Sequence, residues 1–154
     1  MRAGIDSLSS AGKPQWKTNG NTHATTRQVV GTAPYIPAEY SSLGHVSEKT
    51  DAFAMGIVII ELLISGSMPT AAPEDFPFKA RELVDSKDSK EDLTAAIEAM
   101  AADGGWADES AVRAAKILTS VAVSCTCKTE KRLTPALALG RTEEAYELVG
   151  SDNL

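Results

Sequence analysis

Apolar positions change their rhythm several times along the chain. Through residue 28, Ser, Thr, Gly, Asn and Lys dominate and no period emerges. This stretch reads as a mobile loop, with Lys13-Pro14 and Asn19-Gly20-Asn21 as breaker signals. Residues 29–46 set short apolar pieces between Gly31, Pro34, Pro37 and Gly44, the pattern of an ordered but irregular loop. Ser47 is a candidate helix cap, and the run that follows, residues 48–65, is long enough that helix outweighs strand despite its β-branched residues. Its apolar side chains continue all the way round, which predicts burial on most sides, and Gly66 ends it.

Beyond a loop at 67–77 the helical rhythm returns in pieces. Residues 78–84 predict a short helix, and 90–102 place Leu93, Ile97 and Met100 on one face. Asp108 is positioned to cap a longer helix whose stripe is Val112, Ala115, Leu118, Val121, Ala122 and Cys125. Thr134-Pro135 has the cap-then-proline form of a further helix start. Gly140 is expected to split that helix, with Thr142 capping a last piece through Leu148. Internal repeats and strand pairs with a clear hairpin turn are absent from the pattern. The chain reads as mainly α.

Its 154 residues point to one domain, and 43% hydrophobic with 23% charged residues is ordinary for a globular protein. Only 5% are aromatic, so the core must be aliphatic. Charge is unevenly spread: residues 1–50 carry a net +2 and residues 51–154 a net −8. An acidic body without a basic cluster argues against nucleic acid or an anionic membrane as partner. Cys125 and Cys127 are too close in sequence to bridge each other readily, and no zinc-type spacing joins them to His23 and His45. Reduced structural thiols in a cytoplasmic setting are expected. The first residues lack the apolar core of a signal peptide, and the run from Ala52 to Ile64, broken by Gly56 and Glu61, is shorter than a bilayer span.

Two segments in fixed order carry a resemblance. The first runs Thr22-His23-Ala24-Thr25-Thr26 through Gly31-Thr32-Ala33-Pro34-Tyr35-Ile36-Pro37-Ala38-Glu39-Tyr40. The second runs Ser47-Glu48-Lys49-Thr50-Asp51-Ala52-Phe53-Ala54-Met55-Gly56-Ile57 and on to Glu61-Leu62-Leu63. Together they resemble the activation-loop end and central C-lobe helix of the Pelle and plant receptor-like serine/threonine kinases. Members read T-H-x-S-T-x-x-x-G-T-x-x-Y-x-x-P-E-Y, then S-x-K-x-D-V-[FY]-x-[FM]-G. A third piece, Cys125 to Thr134, is similar to the family's C-x-x-x-x-x-x-R-P-[ST], with Leu133 in the proline's place. The resemblance implies a partial, helical C-terminal lobe of a kinase-like fold over residues 29–150, without the N-terminal β lobe. Residues 1–28 would then be an activation-loop-like segment.

By that resemblance Thr32 helps position a catalytic aspartate and Tyr35 lines the substrate loop. Glu39 is the carboxylate of the Ala-Pro-Glu motif and pairs with a buried arginine, best matched by Arg132. Asp51 accepts backbone N–H groups of a catalytic loop, a favourable use of an acid near a helix N-terminus. Thr25 and Thr26 sit where relatives are phosphorylated. Read without the family, Thr32 is a turn residue, Asp51 a helix-start acid, and the threonines ordinary loop positions. Ala38 departs from the expected proline, and Ala72-Pro73-Glu74 repeats the motif by accident, after the central helix.

Phosphoryl transfer needs positioned phosphates, metal and a base. The sequence contains no Gly-rich loop, strand lysine, His-Arg-Asp or Asp-Phe-Gly. Asp6 is a weak candidate for an eroded metal-binding aspartate, since Ser7 and Leu8 fit the motif poorly. No cofactor is expected in these residues alone; ATP and magnesium belong to the full family domain. Two functions follow: part of a serine/threonine kinase acting with a partner kinase lobe on protein substrates, or a non-catalytic, pseudokinase-like fragment that binds protein.

Overall fold

A computed structural model describes residues 23–68, 71–103 and 109–151; Asp6 and Asp108 lie outside them. Two three-residue strands, β1 (His23–Thr25) and β2 (His45–Ser47), pair antiparallel with Ala24 opposite Val46. Between them lie a 3₁₀ turn (Ala33–Tyr35) and a short helix, α1 (Ala38–Leu43). Then come α2 (Glu48–Ile64), α3 (Phe76–Ser86), α4 (Lys90–Asp103), α5 (Glu109–Thr126) and α6 (Pro135–Ser151). The described residues are predominantly helical, as the apolar rhythm predicts.

Helix α2 is the axis of the bundle. Ser47 is its N-cap, and the Ser47 N–H donates to Thr50 Oγ1 at 3.1 Å, the reciprocal half of a capping box. The stretch Glu48–Ser67 is long and apolar enough to cross a membrane by length and composition, yet α3, α4, α5 and α6 all pack against it. Ile57, Ile60, Leu63 and Ile64 are fully buried with Ile97 and Val121. Burial of such aliphatic side chains, roughly 1.5–3 kcal/mol each, is what holds the bundle together. Helix α2 crosses α5 closely at Gly56, where a Cβ would lie 2.8 Å from both Cys125 Cβ and Thr126 Cγ2.

Three expectations need correction and one holds. The helix from Pro135 is continuous rather than split at Gly140, because Gly140 is exposed with open space around it and nothing forces a break. Val112 is 40% exposed and stands off the buried stripe of α5. The expected burial of α2 on most of its sides holds, with Val58 and Leu62 exposed, at 43% and 66%, on the side left open. Finally, the β1–β2 pair had no sequence signal, because strands of three residues are too short to show alternation.

Candidate functional site

The loop between β1 and α2 is fixed at both ends. Gly44 adopts φ +66 after α1, a left-handed conformation natural to glycine, and a Cβ there would collide with the Thr26 carbonyl oxygen. Thr26 N–H donates to Gly44 O at 2.9 Å, and Thr26 Oγ1 both donates to Gln28 O and accepts from Gln28 N–H. The Tyr40 hydroxyl reaches back to Val30, accepting from its N–H at 3.1 Å and donating to its carbonyl. Thr25 is exposed, as is Thr32, whose carbonyl accepts Tyr35 N–H at 3.0 Å to begin the 3₁₀ turn.

Arg132 anchors the loop to the bundle. Its Nη1 donates to Glu39 Oε1 at 2.5 Å and to Lys49 O at 3.0 Å, while its Nε donates to Cys127 O at 3.1 Å. The guanidinium also lies 5.0 Å from the centroid of the Phe53 ring, a cation–π distance. One side chain thereby ties α1, the start of α2 and the end of α5. The Arg132 side chain is 3% exposed and that of Glu39 20%. Burial by itself would raise the Glu39 pKa. Hydrogen bonds from Arg132 and the Glu39 backbone, the Arg132 charge and a hydrogen bond from Thr129 outweigh it and hold the carboxyl below its usual range.

Two further side chains strengthen the anchor. Lys49 Nζ donates to Thr129 O at 2.8 Å. Arg81 of α3 sits 5.2 Å from the centroid of the same Phe53 ring and donates from Nη1 to Ile36 O at 2.6 Å. Arg81 also pairs with Asp85 at 2.8 Å. Lys49 stands at the lysine of the family's S-x-K-x-D pattern without a role assigned to it, and nothing in the sequence singled out Arg81, since each acts through backbone carbonyls brought near only by the fold.

Tyr35 is half-buried beside Glu61, mid-way along α2. Burial, then its interaction with the Glu61 carboxylate, pushes the tyrosine pKa up. Burial also raises the Glu61 pKa, partly offset by Tyr35. Glu61 Oε1 is buried without a hydrogen-bond partner among the described residues. The lone carboxylate in an apolar run was the available signal for this position. Asp51 is exposed in the first turn of α2. Cys125 is buried, its thiol pushed up to about 11 by burial and by its neighbour Cys127, so it is a packing residue rather than a nucleophile.

The fold thus brings Glu39 and Arg132 into contact and sets Tyr35 on α2, while Thr32 and Asp51 remain at the surface. No family model matches the chain, and no solved structure matches it. Among curated proteins it is 40% identical over 80 residues to the proline-rich receptor-like protein kinase PERK10 of Arabidopsis thaliana, covering 49% of this chain and 10% of that protein. It is 39% identical over 77 residues to protein kinase STUNTED, 50% of this chain and 12% of the relative, and 49% identical over 49 residues to PERK2, 32% and 7%, both also from Arabidopsis thaliana. The chain spans about a tenth of the length of these relatives. This chain is related to the plant receptor-like protein kinases and corresponds to a part of the helical C-terminal lobe of their catalytic domain.

Proposed function

We propose that these residues form the substrate-facing, non-nucleotide-binding part of a serine/threonine protein kinase domain. The observation that carries this reading is the Glu39–Arg132 pair, which holds the loop bearing Thr32 and Tyr35 against α2. In this role Tyr35 and Thr32 border the acceptor segment of a protein substrate. Asp51 is free at the surface to receive the backbone of a catalytic loop, and exposed Thr25 is open to phosphorylation. ATP and magnesium are held by groups outside the described residues, in a cytoplasmic setting where Cys125 and Cys127 stay reduced.

Alone, the 154-residue chain neither binds ATP tightly nor transfers phosphate. The charge on a transferring phosphoryl group needs a preorganised clamp of lysine, backbone N–H groups and metal. A titration with ATP and magnesium, together with a radiolabel-transfer assay, is expected to show neither micromolar binding nor labelling. Joining residues 23–154 to the preceding kinase segment of PERK10 gives the positive arm. The chimera is expected to label a generic Ser/Thr acceptor and to lose that activity on Arg132→Ala.

The exposed Val58 and Leu62 favour a second reading, a non-catalytic fragment that binds protein through α2. A chimera that folds but stays inactive supports it. An absence of any His-Arg-Asp reading frame upstream in the gene supports it as well.

A further inference from the structure

Helix α6 has two faces of different fate. Ala138 and Ala145, seven residues apart, are buried, on the side that packs against α5. A second row, Leu139, Thr142, Tyr146 and Val149, follows the alternating three- and four-residue spacing of a helix–helix seam. That row is open: Tyr146 is 80% exposed and Leu139 55%, with Val149 at 41%. Exposed Glu143 and Glu147 run along its outer edge, one turn apart, while the core seam closes its inner edge. Over its eleven residues the row is about 15 Å long, three turns of a docked helix.

We propose that this face of α6 docks a basic amphipathic helix of a protein partner. The apolar row supplies the seat, with Tyr146 as the aromatic anchor of the kind that concentrates binding energy. The acidic edge supplies the selectivity. Lys or Arg on the partner's flanking positions meets Glu143 and Glu147, and the net −8 of residues 51–154 steers a cation toward the face. A second copy of the chain is the poorer occupant. Antiparallel pairing sets Glu143 against the same residue of the copy, a like-charge contact. Parallel pairing needs the inner edge, which α5 already covers.

The test uses the full chain and a fluorescein-labelled peptide with Leu at heptad positions a and d and Lys at e and g. A matched peptide carries Glu at e and g. Anisotropy is expected to show saturable binding of the Lys peptide, weakened by salt, and at least ~10-fold weaker binding of the Glu peptide. Tyr146→Glu and, separately, Leu139→Ser are expected to weaken the Lys peptide by ~10-fold or more, roughly the loss of one anchor. Both positions are exposed, so circular dichroism should show unchanged helix. Glu143→Lys with Glu147→Lys should erase the preference between peptides, whereas Glu74→Lys with Asp75→Lys, a surface charge reversal elsewhere, should preserve it. Three results overturn the proposal: equal affinity for the two peptides, binding indifferent to Tyr146→Glu and Leu139→Ser, or a dimer in sedimentation that Tyr146→Glu dissolves. The last would make a second copy the occupant.

Discussion

Arg132 gathers three parts of the chain with one guanidinium, and its removal leaves more behind than a missing contact. Arg132→Ala strands the Glu39 carboxylate and frees the carbonyls of Lys49 and Cys127. Breaking a buried pair costs on the order of 3–5 kcal/mol; the partial exposure of Glu39 places this one toward the lower end. Denaturant unfolding should show a larger loss for Arg132→Ala, which also gives up the bonds to Lys49 O and Cys127 O, than for Glu39→Ala, and the double mutant should lose less than their sum. An additive double mutant would mean the two side chains act independently. The pH dependence has a definite sign. A carboxyl whose folded pKa is depressed stabilises above its unfolded value, about 4.3 for Glu, and the contribution is lost as pH falls through the folded one. Glu61 works the other way. Its raised pKa means the stability it contributes is present below the unfolded value and lost as pH rises through the folded one. Glu61→Gln is therefore expected to raise the melting temperature at pH 7 and to leave it unchanged near pH 3. A gain of equal size at both pH values would show that ionisation is not the cause.

At the scale of elements, α2 and α5 approach through Gly56, and that crossing sets the geometry of the bundle. Gly56→Ala drives a methyl against Cys125 and Thr126, and overpacking of this kind costs typically 1–3 kcal/mol even though Ala favours a helix. Thermal unfolding checks it; a stabilised Gly56→Ala would show that the crossing can open without penalty. The helices themselves were legible in the sequence because a buried stripe repeats every three or four residues, and their ends fell within a few residues of expectation. Where the reading failed, the deciding force was tertiary. Gly140 costs a helix interior about 1 kcal/mol relative to Ala, too little to break α6 while Ala138 and Ala145 are packed on either side of it. Val112 fits the stripe by spacing but is 40% exposed, although Ser110 before it and Ala114 and Ala115 after it are buried. The site divides the same way. Glu39 and Arg132 were legible through the resemblance of two motifs, and Tyr40 and Lys49 stand at matched positions with no role assigned, whereas Arg81 contributes through a hydrogen bond to a loop carbonyl, which leaves no mark on the sequence.

For the molecule as a whole, the central helix presents an incompletely covered side. Val58 and Leu62 are exposed, Ala54 and Met55 half-buried, and these four follow helical spacing, so they share one face of α2. Glu61, with its unpartnered Oε1, lies beside them. An interior helix with an open aliphatic face is an association site, since the area removed from water by contact is worth roughly 25 cal/mol per Å². The isolated chain is expected to bind a hydrophobic dye such as anilinonaphthalene sulfonate and to self-associate with rising concentration. Val58→Lys combined with Leu62→Lys should suppress both, because the charged heads reach water while the face loses its apolar surface. Tyr146→Glu on α6 should suppress neither, since it lies on another helix. The double lysine variant must also keep the cooperative unfolding of the parent chain, because neither position belongs to the buried core. A parent chain that stays monomeric across the concentration series and binds no dye would mean that the α2 face is closed in solution.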